Sequence, residues 1–106
     1  MIYRGTTPDL AVDVDGLDMT GWKVWVSVRS GRTGYDFTGD RVTVTKTDSG
    51  CTCAVALTQE ETLALMAGRI ALVQVRAVDS LGEAVATSIC AVQVGNVLMG
   101  GVIADD

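Results

Sequence analysis

The stretch WKVWVSVR, residues 22–29, decides the fold of this chain. Apolar residues at its even positions alternate with Lys23, Trp25, Ser27 and Arg29 at its odd positions. Because successive side chains of a β-strand point to opposite faces, this two-residue period predicts a strand with one face in the core. It is the clearest strand of the sequence, and it places Trp25 on the face that points away from the core.

Strand patterns recur along the rest of the chain and bring the total to about seven strands. Turn residues such as Gly, Asp and Ser separate most of them. The last two are longer and more evenly apolar, so we expect them to be central strands covered on both sides. The six further segments are 10–14, 35–37, 42–45, 51–57, 70–78 and 85–94.

One segment breaks the two-residue period. In TQEE, residues 58–61, Thr58 can cap the start of a helix and Glu61 can reach back to it, which is a capping box. The apolar residues that follow suit about two turns of helix, and Gly68 can end it. We therefore predict one short helix, near residues 59–66, that crosses between strands of different sheets.

Short strands with frequent turns and a single short helix are typical of one fold class. We predict an all-β fold, an antiparallel immunoglobulin-like β-sandwich. The chain has 106 residues, a length that fits one domain. We place the sandwich in residues 1–98 and expect residues 99–106 to form an extended C-terminal tail.

Charge and hydropathy argue against two classes of partner. The formal net charge is −5 and the 8 basic residues form no run, so we expect no nucleic acid, because phosphate binding needs clustered Lys and Arg. We find neither an apolar stretch of about 18 residues nor a basic-then-apolar leader. We therefore expect a soluble protein, made in the cytoplasm, with no membrane partner.

The three cysteines are the nearest approach to a metal site. A structural zinc site needs four ligands, usually in C-x2-C pairs, whereas Cys51 and Cys53 are separated by one residue and Cys90 is a third sulfur. An odd number of cysteines at irregular spacing is also a poor disulfide framework. We predict free thiols in a reducing cytosol, with Cys53 and Cys90 as small core residues.

Other signs of chemistry are weak. Asp13, Asp15 and Asp18 could hold calcium, but their spacing does not match an EF-hand loop, and we favour solvated turn residues. The sequence has no histidine, which removes Ser-His-Asp and Cys-His pairs and the commonest general base. No phosphate-binding loop and no GxSxG elbow occur. We predict that the chain is not an enzyme and takes no cofactor and no small-molecule substrate.

The residues of interest for binding are Trp25 and the apolar residues near the C-terminus. An exposed Trp is often an interface anchor. The alternative is that Trp25 is covered by the N-terminal segment or the C-terminal tail of the same chain. The apolar residues near the C-terminus leave the same two alternatives: they pack either on their own chain or on a neighbouring one. The interface candidates are Trp25, Val97, Leu98, Val102 and Ile103.

Three stretches of the sequence together resemble a family of phage proteins. They are IYRGTTP at residues 2–8, LTQEETL at 57–63 running on into VQVRA at 73–77, and ATSI at 86–89. In this order they look like small proteins encoded among the tail genes of phages and prophages of Gram-positive bacteria. Those proteins are similar to the immunoglobulin-like N-terminal domain of phage baseplate upper proteins.

The resemblance implies a function and a location. It implies a non-enzymatic structural component of a virion, in the tail or baseplate, that docks on other virion proteins or forms a homo-oligomer. Such a protein is expected in the host bacterial cytoplasm during assembly and afterwards in the virion. The alternative hypothesis is a carbohydrate- or cell-surface-binding module, although the chain offers few aromatic residues for one. A cysteine- or metal-dependent enzyme is the third hypothesis.

Overall fold

Two β-sheets packed face to face make up the described part of the chain. The computed structural model describes residues 2–65, 69–87 and 89–95. The prediction of an all-β, largely antiparallel sandwich is confirmed. In chain order the elements are β1 Ile2–Tyr3, β2 Asp9–Asp15, β3 Lys23–Ser30, β4 Thr33–Thr38, a 3₁₀ turn Gly39–Arg41, β5 Val42–Lys46, β6 Gly50–Ala56, α1 Gln59–Leu63, β7 Ile70–Val78, β8 Ala84–Ala86 and β9 Cys90–Gly95.

Some predicted features lie outside the described residues. They are the C-terminal tail at 99–106, the helix end at Gly68, and the interface candidates Val97, Leu98, Val102 and Ile103. Trp25 is therefore the one interface candidate that lies within the described residues.

The order of the strands is that of an immunoglobulin-type sandwich. The larger sheet has the order β1-β9-β7-β3-β4, with β8 also paired to β7, and the smaller sheet has the order β2-β6-β5. The smaller sheet corresponds to immunoglobulin strands B, E and D, while β3, β7 and β9 correspond to C, F and G. Strand β4 takes the place of the extra strand C′ of variable-type domains. The helix α1 lies in the crossover from β6 to β7, as predicted.

The core lies between the sheets and follows the alternation of the sequence. Every second residue of the three central strands is buried. These residues are Val24, Val26 and Val28 of β3, Cys51, Cys53 and Val55 of β6, and Ala71, Val73, Val75 and Ala77 of β7. Removing apolar surface from water stabilises the fold by about 25 cal/mol per Å². The burial of these side chains therefore stabilises the sandwich. It also fixes which face of each sheet is the inner one.

The predicted strand at 85–94 is interrupted, which corrects the sequence analysis. Strand β8 pairs with residues 76–78 of β7, and β9 pairs with residues 70–73. Between these two pairings the register shifts by one residue, as in a β-bulge. Thr87 maintains hydrogen bonding to β7 where the register shifts. Its backbone N–H donates to the Val75 carbonyl at 2.8 Å, and its Oγ1 accepts from the Val75 N–H at 3.1 Å.

The predicted capping box is present at the start of α1. The Glu61 backbone N–H donates to Thr58 Oγ1 at 3.2 Å, and the Thr58 N–H donates to the Glu61 carboxylate at 2.9 Å. These bonds satisfy two of the donors that a helix start leaves open. The helix ends at Leu63, so it is shorter than the predicted 59–66.

The N-terminal segment is bonded to α1 and to the end of β6. Arg4 donates through Nε and Nη2 to the Leu63 carbonyl oxygen, at 3.1 and 2.7 Å, and so satisfies an open acceptor at the helix end. The buried Thr62 hydroxyl donates to the Thr6 carbonyl oxygen at 2.9 Å. The short strand β1 pairs in parallel with β9. The sequence analysis did not predict β1, because two residues are too few to show an alternation.

One expectation for the strand at 70–78 is wrong. It is central, because it lies between β3 on one side and β8 and β9 on the other, but it is covered on one face alone. On the opposite face Ile70 is 52% exposed and Leu72 is 42% exposed. In an antiparallel sandwich one face of each sheet packs on the core and the other meets solvent.

Gly50 stands where no side chain fits. It pairs with Asp15 at the end of β6, and a Cβ atom added to it would overlap the backbone carbonyl oxygen of Val14. Because the strand cannot move aside without disturbing the ladder, we expect Gly50→Ala to lower the free energy of unfolding by at least about 2 kcal/mol. In the control Gly34→Ala the new atom would meet the flexible side chain of Arg29, and the cost should stay below about 1 kcal/mol. Urea titration measures both, and equal effects would contradict this packing.

Candidate docking surface

The candidate site is the outer face of the larger sheet. Its side chains come from the alternate positions of β3, β4 and β7 that point away from the core, and the strand register sets them in rows across the sheet. These side chains, which we call the outer face, are Lys23, Trp25, Ser27 and Arg29 of β3, Asp36 and Thr38 of β4, and Ile70, Leu72, Gln74, Arg76 and Val78 of β7.

Trp25 occupies an inner strand of this face. It points away from the core, as the alternation predicts, and it is half-buried by its neighbours. Its direct cross-strand partners are Thr38 on β4 and Arg76 on β7. The Lys23 ammonium lies 5.7 Å from the centre of the indole ring, within the range of a cation–π contact. The N-terminal strand does not cover Trp25, because β7 and β9 lie between β3 and β1.

Apolar side chains extend the face beyond Trp25. Leu72 is 42% exposed, and Ile89, just before β9, is 61% exposed. Together with Trp25 they line a surface groove of about 780 Å³. Exposed apolar groups gathered on one face mark interaction surfaces more often than singly scattered ones do.

The sequence analysis missed Ile70, Leu72 and Ile89 as surface residues. It took the strand at 70–78 as covered on both faces because most of its residues are apolar. The sequence did carry a signal that one face of this strand is exposed to solvent. Gln74 and Arg76 occupy the same side of the strand as Ile70 and Leu72. Polar residues at alternate positions of an otherwise apolar strand indicate a face that meets solvent or a partner.

The outer face carries more positive than negative charge. The Arg29 guanidinium donates to the Asp36 carboxylate at 2.9 Å, and hydrogen bonds from Ser27 and then Arg29 lower the pKa of Asp36. The other two basic groups, Lys23 and Arg76, form no ion pair within the described residues. They flank Trp25, and both are available to an acidic partner.

The cysteines fall into two classes, one of which corrects a prediction. Cys51 and Cys53 are buried, and burial, followed by the neighbouring Cys51, raises the pKa of Cys53 to about 12. Cys90, predicted as a core residue, is exposed. Cys90 pairs with Val73, so its side chain lies on the same face of the larger sheet, the inner one. Val85, also on that side, is 36% exposed, whereas Val94 further along β9 is buried, which indicates that the three-stranded sheet does not extend over β8 and the start of β9.

Asp13 and Asp15, predicted as turn residues, lie in strand β2, and Asp18 lies in the loop after it. The Thr52 hydroxyl donates to Asp13 at 2.7 Å, and hydrogen bonds from Thr20 lower the pKa of Asp18. Within the part of the chain that the structure describes, no group of three or more Cys, Asp or Glu side chains could hold a metal ion. The same residues include no helix long and apolar enough to cross a membrane.

The two classes of cysteine should differ in reactivity. With a disulfide reagent such as Ellman's under native conditions, we expect one thiol to react fast, that of Cys90. Cys51 and Cys53 should react at the rate of unfolding, because burial excludes the reagent from both thiols, and the raised pKa of Cys53 also disfavours its reactive thiolate. Cys90→Ser should abolish the fast phase, whereas two fast thiols in the unaltered protein would contradict the burial of this pair.

Comparison of the chain with protein-family models, with curated proteins and with solved structures gives no match. The function is therefore inferred from the outer face and from the stretches that carry the resemblance to phage tail-region proteins.

Proposed function

We propose that this chain is a non-enzymatic structural component of a bacteriophage or prophage virion, in the tail or baseplate. It acts by docking on other virion proteins, or on further copies of itself, through the outer face of its larger sheet. The observation that carries the proposal is the patch of Trp25, Leu72 and Ile89, flanked by Lys23 and Arg76. Trp and Arg are the residue types most enriched at the energetic centres of protein interfaces.

The composition of the patch favours a protein partner over a sugar. Carbohydrate-binding faces often present several aromatic rings, and Trp25 is the one aromatic side chain among the outer-face residues of β3, β4 and β7. The remaining groups are aliphatic, amide or charged. A protein surface can pair with all of these, whereas a neutral sugar offers no counter-charge to the basic groups.

The virion setting rests on the resemblance. Two of the stretches that carry it are bonded to each other in space, because Arg4 donates to the Leu63 carbonyl and the Leu57 N–H donates to the Pro8 carbonyl. These residues therefore maintain the frame of the sandwich. A shared frame fits a family of assembly modules in which each member presents its own outer face to its partner. The partners are other tail proteins, in the host cytoplasm during assembly and then in the virion.

The proposal is tested with the proteins encoded by the genes that adjoin its own. We expect the chain to co-purify with at least one of them after pairwise co-expression. Trp25→Ala should weaken that binding at least about tenfold. It should lower the free energy of unfolding by less than about 2 kcal/mol, since a fully buried Trp would cost about 3–5 kcal/mol. Binding is measured by calorimetry on the purified pair, and stability by urea titration.

The matched control is Leu81→Ala. It removes an apolar side chain that is 85% exposed in the turn after β7, and binding should be unchanged. A loss of stability in Trp25→Ala as large as that of a buried Trp would argue against a docking role for this residue. Binding on a glycan array, with no protein partner found, would favour the carbohydrate-binding alternative.

A further inference from the structure

The outer side of the smaller sheet differs in kind from that of the larger one. The strand register gives its members, which we call the acidic face. They are Asp9, Ala11, Asp13 and Asp15 of β2, Thr43 and Thr45 of β5, and Gly50, Thr52, Ala54 and Ala56 of β6. This face has three carboxylates and no Lys or Arg, and its other side chains are no larger than Thr.

The carboxylates of the acidic face lie along one edge strand of the sheet, β2, without a counter-charge. Asp13 and Asp15 are alternate residues about 7 Å apart, and Asp9 lies about 13 Å from Asp13 along the same strand. Their bonds are to neutral groups, as between Asp13 and the Thr52 hydroxyl at 2.7 Å. Like charges on one face of a sheet repel one another. A cationic surface placed against this face would remove that repulsion.

The basic residues at the border of the acidic face do not supply the counter-charge. Arg41, at one end, is ion-paired with Glu61 at 2.6 Å and also donates to the Ala56 carbonyl. Lys46, at the other end, occupies a position of β5 opposite Cys51, whose side chain faces the core. The acidic face therefore has no cationic partner within the three strands that form it.

The outer face of the larger sheet is opposite in charge to the acidic face. It carries three basic residues, Lys23, Arg29 and Arg76, and one acidic residue, Asp36. The carboxylates of Asp79 and Glu83 lie beyond its end, in the turn after β7. Its side chains are longer than those of the acidic face. The two faces are thus complementary in charge.

We propose that the partner of the outer face is the acidic face of a second copy of this chain. This inference rests on the proposed function, because it names the partner of the same docking surface. The two faces lie on opposite sides of the sandwich, so each copy can use both at once. The contact is therefore heterologous, and it forms a ring or an open stack according to whether the rotation between copies closes.

The charge of the whole molecule gives this arrangement its specificity. With a net charge of −5, two copies in random orientation repel each other. Attraction arises where Lys23 and Arg76 meet Asp13 and its neighbours. Since the Debye length falls from about 10 Å at 0.1 M salt to about 3 Å at 1 M, added salt should weaken the association.

The test uses two variants of the full chain, each with one face damaged. Trp25→Ala damages the outer face, and Asp13→Arg puts a bulky cation on the acidic face. Light scattering on a size-exclusion column over a concentration series gives the mass. We expect the unaltered chain to grow in mass with concentration, and each variant alone to associate at least about tenfold more weakly. Mixed in equal amounts, the variants should form a one-to-one heterodimer, because one intact face of each kind remains.

The matched control is Asp40→Arg, which makes the same change of charge in the exposed 3₁₀ turn and should associate like the unaltered chain. A heterodimer in the mixture supports the proposal. Normal association of Asp13→Arg would overturn it in favour of a symmetric contact between two outer faces. A monomer at every concentration would also overturn it. That last result leaves the docking function itself to be decided by the binding of the adjoining gene products and its loss in Trp25→Ala.

Discussion

The pairing of β3 with β7 is the constraint on which the rest of the structure depends. Val26 and Val75 lie opposite each other at its centre, and both are fully buried. Because side chains alternate along a strand, fixing these valines inside fixes Trp25 beside Arg76 outside. A slip of one residue would exchange the two sets, with the valines in water and the charges in the core. The register that makes the core therefore also makes the outer face.

The fold was predictable to the extent that its signals are local. Alternation in WKVWVSVR is visible within eight residues, and so is the capping box at Thr58, and both appear as expected. The bulge at Thr87 was not predictable, because a shift of register exists only between two strands, and residues 85–94 alone look continuous. Cys90 was misplaced for a related reason. Its position points inward, but its exposure depends on how far the opposite sheet extends, which no local pattern records.

The candidate site likewise contains residues that a local pattern predicts and residues that it does not. Trp25 could be found from its own strand, since it is the one aromatic residue on the polar side of an alternating run. Its neighbours Leu72 and Ile70 could not be found in this way. An apolar residue gives the same sequence pattern whether or not a second layer of the structure covers it. The aspartates of β2 were visible as a cluster and interpreted as a turn. Their place on the side of the sandwich opposite Trp25 follows from sheet membership, which joins residues far apart in the chain.

The parallel pairing of β1 with β9 has a consequence for the order of folding. Ile2 pairs with Val94, so the contact closes almost the longest loop that the chain can form. Loop closure of this kind is entropically costly and slows folding. We expect strand β1 to join after β9 has paired with β7, and the bonds from Arg4 to the end of α1 to form late with it. Until then the edge of β9 lies open, and the N-terminal strand of a neighbouring chain offers the same hydrogen bonds. We therefore expect exchange of this strand between copies to compete with its closure within one chain.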